Sequence, residues 1–130
     1  MSDVADNGIH IGVITPTYQR PDLLVRLHKS VAAGSAGVRW MHLVVDDGSS
    51  VDYSYAVLEC AQSTGRIQYV RTKNLGALAA RNRAMEMADA EGCTHLVFVD
   101  DDDELIPGAL GAIECTIQSF PGNEWFVFPS

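Results

Sequence analysis

Five acidic side chains in a row, Asp100-Asp101-Asp102-Asp103-Glu104, follow directly on the apolar run Leu96-Val97-Phe98-Val99. Like charges ~4 Å apart repel by about 1 kcal/mol even in bulk water, and by more near a protein surface, so such crowding calls for a counter-charge. Carboxylate oxygens are the ligands of magnesium, manganese and calcium. A solvated acidic loop, or a helix N-cap ahead of Pro107, is the alternative reading. A second acidic group, Asp46-Asp47-Gly48-Ser49-Ser50, follows Val44-Val45. A carboxylate there can accept a hydrogen bond from a nucleotide base, or simply fix the turn.

Two further places carry chemistry. Leu78, Arg81, Met85 and Ala88 are spaced to share one helical face, which is expected to turn toward a sheet. An arginine on an otherwise apolar line is costly unless it meets an anion. That anion is either the acidic strand ends or a phosphate, and both remain open. Arg83 has a local partner in Glu86. In Thr15-Pro16-Thr17-Tyr18-Gln19-Arg20, Tyr18 can stack on a base, although a lone loop tyrosine is more commonly an amphipathic surface residue.

The elements that must position these residues alternate along the chain. Apolar runs predict strands over Ile9 to Thr15, Trp40 to Asp46, Ile67 to Arg71, His95 to Asp100 and Trp125 to Phe128. Between them, helical spacing predicts a helix opened by Pro21 and carrying Leu23, Leu24, Leu27 and Val31, which Gly34 and Gly37 end. A second covers about Asp52 to Ser63. A third covers Leu75 to Glu91, capped by Asn74 and closed by Gly92. A fourth opens at Pro107, with Leu110, Ile113, Ile117 and Phe120 on one side. The fold class is α/β, a mainly parallel sheet flanked by helices with right-handed crossovers. In such sheets ligands bind outside the carboxyl ends of the strands, where the residues above fall.

Composition narrows the function. The chain has 130 residues, 47% hydrophobic and 20% charged, enough to bury a core as one domain. A net charge of -8 argues against a nonspecific nucleic-acid binder and against docking on an anionic membrane. Cys60, Cys93 and Cys115 are odd in number and lack metal-site spacing, so all three read as small buried hydrophobes in a reducing compartment. His10, His28, His42 and His95 show no ligand spacing. Residues 1–8 read as a short disordered tail ahead of a domain over 9–130. No run reaches the ~20 apolar residues of a transmembrane segment, and the expected location is cytoplasmic.

Four motifs in order resemble the family 2 glycosyltransferases of the GT-A fold. They are Val13-Ile14-Thr15-Pro16-Thr17-Tyr18-Gln19-Arg20 for a P-x-Y-N-R-like loop, Val45-Asp46-Asp47-Gly48-Ser49 for V-D-D-G-S, Asn74 to Asn82 for N-x-G-x-x-x-A-R-N, and Phe98 to Asp103 with Pro107 for the D-x-D strand end. Gln19 stands where the family usually has Asn, and Arg83-Ala84 where many members carry x-Gly. The resemblance implies a Rossmann-like nucleotide-diphospho-sugar transferase fold, here incomplete. It implies that Pro16, Thr17, Tyr18 and Arg20, with Asp47, border the nucleotide. It puts Arg81 near the base or diphosphate, Asp100 and Asp101 on the ribose side, and Asp102, with Asp100, at a manganese or magnesium ion. The implied donor is a nucleotide-sugar, usually a UDP-sugar. The implied reaction is transfer to an acceptor hydroxyl (on a saccharide, lipid or protein) with inversion.

The family's general base normally lies in the second half of the domain, and no catalytic base is identified here. Glu114 falls mid-helix and Glu124 at the amino end of a strand, so the expectation is a piece of a longer enzyme or a divergent protein that binds a donor without transferring it. A noncatalytic nucleotide-sugar-binding or interaction module is the alternative on the same fold. A phosphoacceptor receiver domain is disfavoured by Thr15-Pro16, where an acidic pair would stand.

Overall fold

The computed structural model describes residues 7–122. Its elements alternate as β1 (Ile11–Thr17), α1 (Pro21–Ala32), β2 (Trp40–Asp46), α2 (Ser54–Thr64), β3 (Ile67–Arg71), α3 (Ala77–Glu91), β4 (His95–Phe98) and α4 (Ala109–Ser119). The four strands form one sheet in the order β3-β2-β1-β4, and every pairing is parallel. The strand expected over Trp125 to Phe128 and the first six residues of the expected tail lie outside the described residues.

Three strand boundaries differ from the sequence expectation: β1 begins at Ile11 rather than Ile9, and one residue bears on the other two. β1 runs on through Pro16 to Thr17, and β4 stops at Phe98 rather than Asp100. In a parallel ladder alternate residues of a central strand point their N–H and C=O groups to opposite neighbours. The Ile11 N–H bonds toward β2, at Arg39 O, and Ile14 O accepts from Val99 N at 3.0 Å on the β4 side. Pro16 therefore faces β4, and it has no N–H to give. The β1–β4 ladder ends there, while the β1–β2 ladder continues to Thr17 and Asp46.

Alternation along the strands makes two layers. Ile11 and Val13 pack with Leu27 and Val31 of α1 and with Leu110, Ile113 and Ile117 of α4. Val44 of β2 packs on the same side with Leu24 and Tyr53, against which Val57 of α2 lies. On the other side Ile14, Leu43 and Val45 meet α3.

The expected face of α3 is corrected. It buries Ala80, Ala84, Met87 and Ala88, while Leu78 is 72% and Met85 40% exposed. Alanines at positions 80, 84 and 88 let the helix lie close on the sheet, which a leucine at that contact would not. Arg81 consequently sits on the flank of α3 and not beneath it.

Other expectations are also adjusted. Phe120 lies past the end of α4 and is exposed. Of the cysteines, Cys60 is buried, Cys93 is half-buried and Cys115 is exposed. Gly92 closes α3 in the left-handed conformation, as its type suggests. Gly34, at φ +71°, follows α1 and packs so tightly on α4's approach that an added Cβ would lie 2.5 Å from Gly108 N.

Beneath the rim lies a buried polar chain. Thr15 Oγ1 meets His42 Nε2 at 2.9 Å, His42 Nδ1 meets His28 Nδ1 at 2.9 Å, and His28 Nε2 meets Thr64 Oγ1 at 2.7 Å. Both imidazoles are fully buried, and their rings stack at 5.2 Å. Burial lowers the His28 pKa to about 4. Burial, with repulsion from His28, lowers that of His42 to about 3. Both rings are neutral near pH 7.

Candidate functional site

The carboxyl ends of β1, β2 and β4 meet on one rim. Thr17 at the end of β1 is buried and Tyr18 is 42% exposed. Gln19 follows at φ 60°, a left-handed conformation that asparagine adopts more readily than glutamine. Its place is held by bonds to the loop after β2. Gln19 N donates to Ser49 Oγ at 2.8 Å, and Gln19 Oε1 accepts from Ser50 N at 2.9 Å and Val51 N at 3.2 Å. This stitch between two loops has no signal in the sequence beyond the asparagine that the family usually carries there.

The two carboxylates ending β2 have separate tasks. Asp46 is fully buried and accepts from Ser49 N at 2.9 Å and from the Tyr69 hydroxyl at 2.5 Å. Burial and that bond to Asp46 push the Tyr69 pKa up. Asp47 is nearly buried, and its carboxylate accepts from Leu75 N at 2.8 Å and Gly76 N at 3.1 Å. Asp47 therefore pins the turn that leads into α3, through two amides ahead of its first residue Ala77. Asn74, expected as the cap, does not supply one, and Gly76 occupies the N-cap position without a side-chain bond.

The acidic run after β4 divides by direction. Asp100 and Asp102 are exposed, and Asp101 is 2% exposed. Asp101 Oδ2 accepts from Thr17 Oγ1 at 2.8 Å, and its Oδ1 lies 3.2 Å from Arg20 Nη2. Burial raises the Asp101 pKa, opposed by the Thr17 bond and the Arg20 charge. Outside, Asp100, Asp102 and Asp103 each offer a carboxylate oxygen, all within 4.8 Å of one another. Opposite ligand oxygens of an octahedral magnesium stand about 4.2 Å apart, twice its ~2.1 Å bond. Rotation of exposed side chains covers that difference, so the hard oxygen donors fit magnesium or manganese. Asp103 joins a group in which the sequence reading had singled out Asp100 and Asp102.

Arginines border this cluster. Arg81 Nη2 donates to Asp100 Oδ1 at 2.9 Å, the protein partner foreseen as one of its two options. Arg20 Nη1 lies 3.6 Å from Asp102 Oδ2, and Arg26 Nε lies 3.2 Å from Glu104 Oε1. These pairs are about half exposed, so each contributes at most ~1 kcal/mol and exchanges partners cheaply.

Direct contacts thus join most of the residues singled out from the sequence. Asp47 N donates to Thr17 O at 2.9 Å, Thr17 reaches Asp101, Arg20 reaches Asp101 and Asp102, and Arg81 reaches Asp100. Pro16 and Tyr18 flank Thr17. Glu114 lies within α4, away from these contacts. One participant was missed. Tyr53, just ahead of α2, is 3% exposed, and its hydroxyl lies 2.7 Å from Thr17 Oγ1 and accepts from Arg20 N at 2.9 Å. In sequence it looks like an ordinary residue at a helix start.

Over residues 12–114 the chain matches the model of glycosyl transferase family 2. It is 33% identical over 106 residues to the GalNAc(5)-diNAcBac-PP-undecaprenol beta-1,3-glucosyltransferase of Campylobacter jejuni, covering 79% of this chain and 33% of that protein. It is 34% identical over 97 residues to an uncharacterized glycosyltransferase of Rickettsia conorii, covering 75% of this chain and 15% of the other. The chain therefore spans a third or less of these relatives.

Among solved structures, S. aureus TarS in complex with UDP aligns at a TM-score of 0.69 with 24% identity, over 85% of this chain and 32% of that one. A mannosyltransferase from Pyrobaculum calidifontis, in complex with GDP-Man and Mn2+, aligns at 0.69 with 21% identity, over 93% and 36%. These likenesses establish the fold, a parallel sheet flanked by helices of the GT-A type. With the family model matching residues 12–114, the chain belongs to glycosyl transferase family 2.

Proposed function

We propose that this chain is the donor-binding part of a glycosyltransferase that takes a nucleotide-diphospho-sugar, a UDP-sugar first, together with manganese or magnesium. The observation that carries the reading is the outward trio Asp100, Asp102 and Asp103, bordered by Arg20 and Arg81 and joined to the loop after β1. Asp102 and Asp100, with Asp103 beside them, would hold the ion. The ion's chemistry when bound is that of a Lewis acid, neutralising charge that grows on the leaving diphosphate.

The chain's own residues do the rest. Tyr18, exposed beside the rim, stacks on the base, and Pro16 and Thr17 form the floor of that contact. Asp47 and Asp100 line the nucleoside side, while Asp101, expected there as well, is buried behind them. Arg81 and Arg20 exchange their half-exposed carboxylate partners for phosphate oxygens, to which a guanidinium makes charge-assisted bonds. Transfer goes to an acceptor hydroxyl with inversion at the sugar. Known relatives of this fold include one solved with UDP and one with GDP-Man and Mn2+, which supports a nucleotide donor and a divalent ion. The location inferred is the cytoplasm, where the free thiols of Cys60, Cys93 and Cys115 stay reduced. Among the described residues no helix is long and apolar enough to cross a membrane.

Calorimetry with UDP and manganese tests this. The chain binds UDP only with the metal present, and Asp102→Asn abolishes binding while leaving the melting transition in place. An intact fold that binds neither UDP nor GDP with manganese would sink the proposal.

A further inference from the structure

The four consecutive aspartates are not equivalent. Asp101 alone turns inward, and two donors from one loop converge on it. These are the Thr17 hydroxyl at 2.8 Å and the Arg20 guanidinium at 3.2 Å. Because Thr17 spends its only proton on Asp101, its oxygen must accept from the Tyr53 hydroxyl 2.7 Å away. Tyr53 in turn accepts from Arg20 N at 2.9 Å. Every donor in this run has one direction: Arg20 N–H to Tyr53 O–H, to Thr17 O–H, to the Asp101 carboxylate. The ring of Tyr53 is fixed independently, packed with Leu24 and Val44 and stacked on Tyr69 at 5.7 Å.

We propose that Asp101 and Tyr53 are positioning residues of the donor site, which touch neither metal nor nucleotide but clamp the Pro16–Arg20 loop against the acidic end of β4. The clamp sets the separation between the loop that takes the base and the carboxylates that take the ion. It is a separation the backbone does not hold, since the β1–β4 ladder has already ended at Pro16. Asp100 and Asp102 flank Asp101 in the chain, so fixing Asp101 from inside also fixes where its two neighbours emerge. The inference rests on the donor-site reading and assigns roles within it.

The test is Tyr53→Phe, which removes one oxygen and keeps the ring. Amide exchange at Arg20 should accelerate at least about tenfold, since its acceptor is gone, while amides of Leu43 to Val45 in β2 keep their protection. The Kd for UDP in manganese should rise about tenfold, the equivalent of one buried hydrogen bond. Manganese binding without nucleotide, read by electron paramagnetic resonance of the free ion, should stay within about twofold of wild type. That split between nucleotide and ion is what a general loss of structure would not produce. Thr17→Val combined with Tyr53→Phe should cost no more than the worse single change, because both cut one chain.

Unchanged UDP affinity in Tyr53→Phe, or additive losses in the double variant, would overturn the clamp. Should Tyr53→Phe lose protection throughout β2, Asp101→Asn decides instead. It keeps an acceptor for Thr17 and drops the Arg20 pair, and UDP affinity equal to wild type there would overturn the proposal too. A wild-type chain that binds neither UDP nor GDP defeats the donor-site reading itself, whereas binding that these variants leave untouched defeats only the clamp.

Discussion

Mild acid should loosen this fold through the stacked histidines. The contact between His28 Nδ1 and His42 Nδ1, at 2.9 Å, has room for one proton. Charging both rings would set two N–H groups against each other in a fully buried site. Burial, joined for His42 by repulsion from His28, lowers the pKa values to about 4 for His28 and about 3 for His42. A depressed folded-state pKa gives stability that is whole above the unfolded value of 6.5 and is lost as pH falls toward the folded one. At pH 5 each ring is protonated in the unfolded chain and neutral in the folded one, which costs about 2 kcal/mol per ring, against almost nothing at pH 7. The difference for the pair is on the order of 3 to 4 kcal/mol, and it does not depend on how the repulsion is divided, because neither ring is charged in the fold at pH 5. His10, lowered by burial and by Arg39, adds in the same direction. Asp101, raised by burial, acts oppositely: a raised pKa favours the fold at low pH. Urea unfolding at pH 7 and pH 5 measures the sum, and His28→Gln should roughly halve the loss. A fall of less than ~1 kcal/mol between the two, or an unchanged slope in His28→Gln, would refute the reasoning.

Two further outcomes follow from the geometry. Arg81→Gln should shift stability by no more than ~0.5 kcal/mol, since its pair with Asp100 is exposed on both sides, yet weaken UDP binding in manganese by about tenfold or more; calorimetry and thermal melting on one sample separate the two effects. Gly34→Ala combines φ +71° with a Cβ only 2.5 Å from Gly108 N, and should lower stability by about 2 kcal/mol or more. Gly37→Ala has similar φ (+81°) with nothing within 4 Å, so it should cost only about 1 kcal/mol, both read by denaturant unfolding.

Much of the fold was legible because its signals are local. Runs such as Leu43-Val44-Val45, short and β-branched between turn residues, read as buried strands, and Gly92 can end a helix cheaply in the left-handed conformation it adopts. What escaped depended on three-dimensional neighbours. The buried face of α3 is made of alanines, which weigh less in a hydrophobic pattern than the exposed Leu78 and Met85 beside them. Four identical aspartates carry no phase, so nothing in the sequence separates the inward Asp101 from Asp100 and Asp102. The turn into α3 is held by Asp47, 28 residues away from Leu75, where sequence reasoning looks to the adjacent Asn74. Tyr53 has no motif at all. Its role comes only from the place of its hydroxyl between Thr17 Oγ1 and Arg20 N.

Pro16 has an effect beyond its own position. Parallel strands tend to zip until something stops them, and here the stop is one absent hydrogen in the middle strand of the sheet. An alanine in its place would hand Val99 a donor and let the seam close over the next residues, pulling Asp100 into the pleat and straightening the turn that presents Asp102. The acidic rim on this edge is thus set apart from β1 by something the backbone lacks, and a substitution that looks like a gain in hydrogen bonding would disturb the proposed donor site.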